Sequence, residues 1–271
     1  MRRPSKALEP RIQRAARWLY DAHHAGAPFE PFPSDLAPRD LAEAYDIQGA
    51  YVGLRSERQG AVAGYKIALT TPAMRSFAGL GDSIAGEMMA DTLLRSPARV
   101  ASSDYRHLLV EFEIAFQMAE DLPALGAPYT RESIARAVGS VMPALEIADD
   151  RNADYAQLPK HGLMLVADNA WNEGAVLGKA LTDWRHLDLA AVHGVARING
   201  EVVGEGYGRD VLGHPLDALA WLANNLAARG LGLWRSDVVI TGSLVASKFP
   251  RAHDRIEFDV GGLGRVELLV E

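Results

Sequence analysis

The stretch of sequence that decides the fold lies near the middle of the chain and runs Leu108-Leu109-Val110-Glu111-Phe112-Glu113-Ile114-Ala115-Phe116. Successive side chains of a strand point to opposite faces, so Glu111 and Glu113 share one face, and the other face carries Val110, Phe112, Ile114 and Phe116. Burying an unpaired charge is costly, so two acids on one face of so apolar a strand need a positive partner. The pattern therefore indicates a β-strand whose acids bind a divalent cation.

The composition is that of a folded, enzyme-sized protein. Of 271 residues, 48% are hydrophobic and 23% are charged, which excludes disorder and fits one large domain or a small domain with an appendage. The formal charge of −7 argues against a surface that collects phosphate backbones, so we expect no nucleic-acid partner. The chain contains no cysteine, so any metal must be held by oxygen or imidazole ligands.

The sequence predicts neither an export signal nor a membrane span. Arg2 and Arg3 form the arginine pair of some export signals, but the residues up to Arg17 are charged and lack an apolar signal core. No segment approaches the roughly 18 uninterrupted apolar residues that a span requires. We therefore expect a cytoplasmic protein with no membrane partner.

Hydrophobic periodicity predicts a helical N-terminal cap and a strand-rich body. Helices are expected over residues 12–24 and from residue 38 or 40 to about 56, which gives a cap over residues 1–60. In the body, residues 61–271, further helices are expected over 130–141 and 214–229, with a hairpin turn at Asn199-Gly200. Strands are expected at 61–70, near 93–100, and at 108–116, 144–148, 163–167, 192–203, 238–241, 255–260 and 264–270.

Glu146 supplies a third carboxylate, inside the apolar pentamer of residues 144–148. A single helical connection separates its strand from the acidic strand, so the two strands can be neighbours in one sheet, with same-face residues about 6.5–7 Å apart. Ligation by oxygen alone selects Mg²⁺, Mn²⁺ or Ca²⁺. The alternative is that Glu111 and Glu113 lie on the wet face of an antiparallel sheet, opposite lysines.

Lys66 projects from the strand predicted at 61–70, on the same face as Gly64 and Ala68. These small neighbours leave room beside its ammonium group. Beside a metal and an apolar wall the pKa of Lys66 could fall toward neutrality, which would make it usable as an acid or a base. The alternative is an ordinary solvated strand lysine.

Several segments resemble, in order and spacing, the 2-keto-4-pentenoate hydratase group of the fumarylacetoacetate hydrolase superfamily. The resemblance covers nearly the whole chain, and its motifs are Gly64-Tyr65-Lys66-Ile67-Ala68-Leu69-Thr70, Glu111-Phe112-Glu113-Ile114-Ala115, Pro143-Ala144-Leu145-Glu146, Ala167-Asp168-Asn169-Ala170, Leu212-Gly213-His214-Pro215-Leu216 and Thr241-Gly242-Ser243. It implies an α+β fold, with an N-terminal helical cap on a mixed β-sandwich roll of the fumarylacetoacetase C-terminal type. Residues 61–271 would form the catalytic domain.

The same resemblance implies an enzyme of aromatic meta-cleavage pathways that acts on a small 2-hydroxy-2,4-dienoate or its 2-oxo tautomer. Mg²⁺ or Mn²⁺ would be held by Glu111, Glu113 and Glu146, and the substrate's C1 carboxylate and C2 oxygen would chelate the ion. Such an ion polarises the C2 carbonyl and stabilises the enolate. Lys66 matches the family's active-site lysine and would shuttle protons or grip the carboxylate.

The remaining candidate residues have plain structural alternatives. Asp168 could position water or a ligand oxygen as a catalytic residue, although Asx residues more often cap or turn the backbone. Gly242 and Ser243 end a strand where backbone amides can meet a substrate carboxylate, or they form an ordinary turn. Asp82 lies in a segment that borders the substrate tail in the family and is a candidate for substrate binding. His214 is expected to cap a helix.

The expected reaction is hydration of a 2-hydroxypenta-2,4-dienoate-like substrate. Three alternatives remain open: decarboxylation of a 2-oxo-hexenedioate, hydrolysis of an acylpyruvate by a His–Glu dyad that the sequence does not locate, and a non-catalytic homologue that acts as an assembly partner. Lys248 and Arg251 could meet a second substrate carboxylate, or lie in a solvated loop. The family's habit and the apolar helices suggest a homo-oligomer.

Overall fold

The structure is a computed structural model that describes residues 8–271. The arginine pair at residues 2 and 3 lies outside the described residues. Across the described range, no helix is both long enough and apolar enough to pass through a bilayer.

Helices and strands alternate irregularly along the described chain. The six α-helices of residues 8–271 are α1 (Pro10–His24), α2 (Leu41–Gln59), α3 (Pro72–Phe77), α4 (Arg131–Ala137), α5 (Gly162–Ala167) and α6 (Pro215–Ala228). The strands are β1 (Val62–Ala68), β2 (Ile84–Met89), β3 (Leu93–Arg95), β4 (Ala98–Val100), β5 (Leu108–Met118), β6 (Val138–Asp149), β7 (Asn172–Leu177), β8 (His193–Ile198), β9 (Glu201–Tyr207), β10 (Val238–Lys248), β11 (Arg255–Val260) and β12 (Gly264–Val270).

The strands form two mixed sheets. The seven-stranded sheet has the order β2-β1-β10-β5-β6-β7-β3, and the five-stranded sheet has the order β4-β12-β11-β8-β9. Strand pairs β1–β10, β3–β7 and β4–β12 are parallel, and the other pairs are antiparallel. Strands β11 and β12 contact β6, so the small sheet packs on the large one. The predicted α+β fold, N-terminal helices on a mixed β-sandwich, is confirmed.

Strand β5 is central to the large sheet and is buried on both faces. Its apolar side chains on one face are fully buried in the main hydrophobic core, as the alternation predicts: Val110, Phe112, Ile114 and Phe116. Phe112 meets Phe258 of the small sheet edge to face, with ring centroids 5.5 Å apart. On the opposite face Glu113 is fully buried as well, which excludes a wet face at this position.

Helices α1 and α2 share the main core with the sheets. Ile12 and Leu19 of α1 and Ile47 of α2 belong to the same buried cluster as Phe112. The helices themselves agree with prediction, and Asp40 caps α2 by accepting a hydrogen bond from Glu43 N. The domain boundary at residue 60 stays a prediction.

Several parts of the secondary-structure prediction are wrong, and strands β2 and β7 and helix α3 were not predicted at all. Residues 163–167, expected as a strand, lie in helix α5, because periodicity cannot distinguish a short apolar run in a strand from one in a buried helix. The helix expected over 130–141 ends at Ala137, where β6 begins. The strand expected near 93–100 is two short strands, β3 and β4, in different sheets.

A buried ionic cluster ties α1 to the body. His23 contacts Asp168 through Nε2 at 2.5 Å and Glu173 through Nδ1 at 3.2 Å, and Arg151 donates to the second oxygen of Asp168 at 2.6 Å. Burial alone would lower the pKa of His23, but Asp168 and then Glu173 outweigh it and raise the pKa from 6.5 to about 9. His23 is therefore protonated at neutral pH, and its ion pairs stabilise the folded state.

Because the folded pKa of His23 is raised, its contribution is complete below pH 6.5 and is lost as the pH rises through about 9. We expect the difference in free energy of unfolding between the wild type and His23→Gln to shrink by about 2–3 kcal/mol between pH 6.5 and 9.5. Urea denaturation across this range measures the difference. His24→Gln, a neighbouring exposed position, is the control, and equal pH slopes for wild type and His23→Gln would contradict the assignment.

Candidate metal centre

The register of two neighbouring strands brings three carboxylates together. Strands β5 and β6 pair antiparallel with Glu111 directly opposite Glu146, and Glu113 lies two residues along on the same face of β5. One carboxylate oxygen from each residue lies within 4.8 Å of the other two. The structure thus brings together the three residues that the sequence predicts as metal ligands.

Strand β10, on the other side of β5, holds two of these carboxylates. Gly242 N donates to Glu113 Oε2 at 2.5 Å, and Ser247 Oγ donates to Glu111 Oε1 at 2.7 Å. Gly242 has φ +112°, and a Cβ there would lie 2.5 Å from Thr70 Cγ2, so glycine allows the backbone to turn its amide toward Glu113.

Glu146 is held by a lysine and an amide. Lys66 Nζ lies 3.1 Å from Glu146 Oε1, and Asn172 Nδ2 donates to the same oxygen at 2.9 Å. The lysine stem passes over Gly86 of β2, where a Cβ would lie 2.9 Å from Lys66 Cγ. Small neighbours therefore make room for Lys66, as predicted, but the ammonium group is buried and paired rather than solvated.

The second oxygens of two carboxylates have no partner among the described residues. Glu113 Oε1 and Glu146 Oε2 are buried and accept no hydrogen bond, which is costly for a carboxylate in an apolar interior. The three carboxylates and Lys66 carry a formal charge of −3 + 1 = −2. Two unpartnered hard oxygens and a charge of −2 fit a divalent cation such as Mg²⁺ or Mn²⁺.

The charges of the three carboxylates and Lys66 shift the pKa values of Glu113, Glu146 and Lys66. Burial, followed by the charges of Glu146 and Glu111, raises the pKa of Glu113 well above its usual range. Burial also raises the pKa of Glu146, against the opposing effect of Lys66. For Lys66, burial would lower the pKa, but the carboxylates, Glu146 first, outweigh it and raise the pKa above its ordinary value. The fall toward neutrality was predicted for Lys66 beside a bound metal, and it stays a prediction for that state.

A left-handed turn carries further groups to the centre. Asn169, Ala170 and Trp171 have φ values of 54°, 42° and 64°, which non-glycine residues rarely adopt in succession. The Asn169 side chain fixes the turn by bonding both the N–H and the C=O of Glu87, at 2.7 and 2.8 Å. The turn places the Ala170 carbonyl 3.5 Å from Lys66 Nζ.

Sequence reasoning missed the role of Asn172, which ends this turn and bonds Glu146. The signal was present in the run Asp168-Asn169-Ala170-Trp171-Asn172, since asparagine tolerates the left-handed conformation and its amide donates to buried carboxylates. The prediction singled out Asp168 with Asn169, the first two residues of this run, and not Asn172.

Two predicted site residues lie away from the triad. Asp168 is fully buried, and its two oxygens are taken by Arg151 and His23. Asp82 is exposed and accepts hydrogen bonds from the Trp221 indole at 3.1 Å and from its neighbour's amide at 2.7 Å. Neither carboxylate lines the cavity beside the triad, because each is engaged elsewhere in the fold.

A cavity of about 380 Å³ opens onto the triad. Lys66, Glu111 and Glu146 lie in its wall, and so do the predicted substrate-binding residues Gly242 and Ser243. The Ser243 hydroxyl is engaged within the sheet, since it accepts from Phe112 N at 2.8 Å and donates to Val245 O at 2.6 Å. The volume lies in the range of about 300–1,000 Å³ usual for small-molecule sites.

The family model for the C-terminal domain of fumarylacetoacetate (FAA) hydrolase matches residues 64–271. The chain belongs to this family. Its metal-ligand candidates and Lys66 all lie inside the matched region.

Relatives in this fumarylacetoacetate hydrolase family extend the likeness to the N-terminal helices. The chain is 32% identical to 2-hydroxyhexa-2,4-dienoate hydratase of Comamonas testosteroni over 93% of this chain and 95% of the relative. It is 30% identical to 2-keto-4-pentenoate hydratase of Paraburkholderia xenovorans over 94% and 93%. Among solved structures, 4-oxalocrotonate decarboxylase from Pseudomonas putida G7, complexed with magnesium and adipate, matches with a TM-score of 0.87 at 26% identity, over 99% of this chain and 100% of that one.

Replacing one carboxylate of the triad should abolish metal binding while the protein still folds. We expect metal-free Glu113→Gln to unfold at a temperature a few degrees above that of the metal-free wild type, because the variant no longer buries a carboxyl group beside Glu146 and Glu111. Mg²⁺ at about 100 times its Kd should raise the melting temperature of the wild type by about 5–10 °C and leave that of the variant unchanged.

Glu120→Gln, at an exposed carboxylate just beyond β5, is the matched control and should respond to Mg²⁺ as the wild type does. Scanning calorimetry with and without Mg²⁺ measures both effects. A Glu113→Gln protein that is less stable without metal and still responds to Mg²⁺ would contradict the assignment of Glu113 as a ligand.

Proposed function

We propose that this protein is a metal-dependent hydratase, a lyase that adds water to a 2-hydroxypenta-2,4-dienoate-type (2-oxo-4-enoate) substrate in aromatic meta-cleavage catabolism. The observation that carries the proposal is the meeting of three carboxylates, two with unpartnered oxygens, beside a buried lysine in the wall of a ligand-sized cavity. The hydratases that resemble the chain along nearly its whole length support the same reaction.

Mg²⁺ or Mn²⁺ would be held by Glu111, Glu113 and Glu146. When bound, the ion supplies Lewis-acid stabilisation of the negative charge that develops on the substrate's C2 oxygen. The protein's part is to fix its ligands, and it does so through hydrogen bonds from Gly242, Ser247 and Asn172.

Lys66 is the proposed proton carrier. Its ammonium group lies in the cavity wall beside Glu146, where it could donate a proton to a substrate carbon during ketonisation. Glu146 and the Ala170 carbonyl orient the ammonium group. Protonation at C5, with loss of the C2 hydroxyl proton, gives a ketone conjugated with the C3=C4 alkene. Water then adds its oxygen at C4, the alkene carbon distal to the carbonyl, and C3 takes up a proton, which gives the 4-hydroxy-2-oxo acid.

The backbone of Gly242 and Ser243 is proposed to bind the substrate, since both residues line the cavity and the Gly242 amide already serves Glu113. Asp168 is proposed to act on the site indirectly, because its ion pairs fix the start of the turn that carries Ala170 and Asn172. Substrate binding by Asp82 stays a prediction, since its carboxylate lies outside the cavity lining and accepts hydrogen bonds from Trp221. We further propose that the enzyme works in the cytoplasm as a homo-oligomer.

The nearest competing reaction is decarboxylation, and one assay distinguishes the two. The Mg²⁺-loaded protein is incubated separately with 2-hydroxypenta-2,4-dienoate and with 2-oxohex-3-enedioate, and the absorbance and released CO₂ are recorded. We expect loss of diene absorbance and formation of a 4-hydroxy-2-oxo acid from the first substrate, with no CO₂ from the second. Stoichiometric CO₂ release would identify a decarboxylase, and inactivity toward both substrates would support a non-catalytic homologue.

Lys66→Met should keep the fold and lose turnover. We expect kcat to fall by about 10²–10⁴-fold, the usual contribution of a positioned proton donor, while Mg²⁺ still raises the melting temperature. Lys179→Met, at an exposed position outside the cavity, should retain wild-type kcat. Unchanged turnover in Lys66→Met would remove the lysine from the mechanism.

A further inference from the structure

The cavity beside the triad is charged at one end and apolar elsewhere. Beyond Lys66, Glu111 and Glu146, its lining is dominated by apolar side chains, including Met74, Phe77, Leu109, Leu158, Leu165 and Leu244. Met74 and Tyr155 are 46% and 40% exposed and lie at the mouth. The Tyr155 hydroxyl donates to Asp150 at 2.9 Å, so the polar end of this side chain is already hydrogen-bonded.

Within residues 8–271, Lys66 is the single cationic side chain of the lining, and it is already paired with Glu146. Apart from Glu111 and Glu146 of the triad, the acidic side chain of the lining is Asp210, which is exposed. Lys248 and Arg251, the candidates for a second substrate carboxylate, do not line the cavity. Arg151 is buried outside the lining and donates to Asp168.

We infer that the enzyme acts on monocarboxylic 2-hydroxydienoates with an extended apolar tail and discriminates against substrates with a second, distal carboxylate. This inference rests on the proposed function and specifies its substrate class. A distal carboxylate in this cavity would lose part of its hydration without meeting an unpaired cation of the lining, and the negative charge of Asp210 would disfavour it further. By contrast, each substrate methylene that is buried in the cavity should raise the affinity about fourfold.

Aromatic rings in the apolar part of the cavity make it suited to flat or unsaturated substrate tails. Phe77 and Tyr155 stack with centroids 6.4 Å apart, and Tyr155 meets Trp171 at 6.1 Å. These rings come from helix α3, a connecting loop and the left-handed turn, so none of them belongs to the strands that hold the triad.

The test uses saturated 2-oxo acids, which carry the chelating head but cannot be hydrated. Binding of 2-oxopentanoate, 2-oxohexanoate, 2-oxooctanoate and 2-oxoadipate to the Mg²⁺-loaded protein is measured by calorimetry. We expect 2-oxooctanoate to bind at least tenfold more tightly than 2-oxopentanoate. The dicarboxylate 2-oxoadipate should bind at least tenfold more weakly than 2-oxohexanoate, which has the same number of carbons.

Met74→Lys adds a cation at the mouth, at a position exposed enough to tolerate it. It should shift the ratio of affinities three- to fivefold in favour of 2-oxoadipate, the effect of an exposed ion pair. Ala73→Lys adds the same charge one residue earlier in α3, outside the lining, and should shift the ratio less than twofold.

The outcomes separate this inference from the proposed function. Equal affinities for all four acids, or tighter binding of 2-oxoadipate than of 2-oxohexanoate, would contradict the inferred preference for an apolar tail. The proposal that the enzyme acts on a 2-oxo acid would still stand. Equal shifts in Met74→Lys and Ala73→Lys would overturn the placement of the tail beside Met74. Failure of every acid to bind in the presence of Mg²⁺ would overturn both the inference and the proposed function.

Discussion

Burial of like charge is the constraint on which the rest of the structure depends. Glu113 and Glu146 are fully buried on adjacent strands whose register forces them together with Glu111. Desolvation and mutual repulsion both oppose this arrangement, so the fold must offset it. The surrounding donors do so in part: an ammonium group, a backbone amide, a side-chain amide and a hydroxyl reach the three carboxylates. They leave a formal charge of −2 and two unpartnered oxygens, which a divalent cation balances.

The left-handed turn at residues 169–171 is a second energetically unfavourable feature, and it lies next to the buried carboxylates. Non-glycine residues in this conformation cost on the order of 1–3 kcal/mol each, so three in succession persist only if neighbouring contacts enforce them. The paired hydrogen bonds between Asn169 and the backbone of Glu87 provide one such contact. The salt bridges of Asp168 provide another, at the point where the turn begins. Strain and buried charge therefore occur together, at the place where Lys66 and Glu146 must be positioned.

Sequence reasoning succeeded where one strong local pattern decided the outcome. The alternation in β5 placed both glutamates on one face, and the Asn199-Gly200 hairpin joins β8 and β9 as expected. It failed where tertiary context decides. Helix α5 is apolar enough to be mistaken for a strand, and β3 and β4, expected as one strand, lie in different sheets. Asp168 has the sequence context of a site residue, but Arg151 and His23, 17 and 145 positions away, occupy both of its oxygens.

The candidate metal ligands and the proposed proton carrier lie on strands of the large sheet, whereas much of the apolar cavity wall lies on helices and loops. The catalysed reaction and the substrate preference can therefore vary independently. The groups that would hold the metal and carry the proton come from β1, β5 and β6, where each substitution disturbs a buried, hydrogen-bonded neighbour. Much of the apolar wall comes from α3, α5 and the loop at residues 150–161, where side chains such as Met74 and Tyr155 remain partly exposed. Substitutions at such exposed positions usually change stability by less than about 0.5 kcal/mol. The tail pocket can therefore be remodelled with little effect on the metal centre, whereas a substitution in the charged centre removes a candidate metal ligand or the proposed proton carrier.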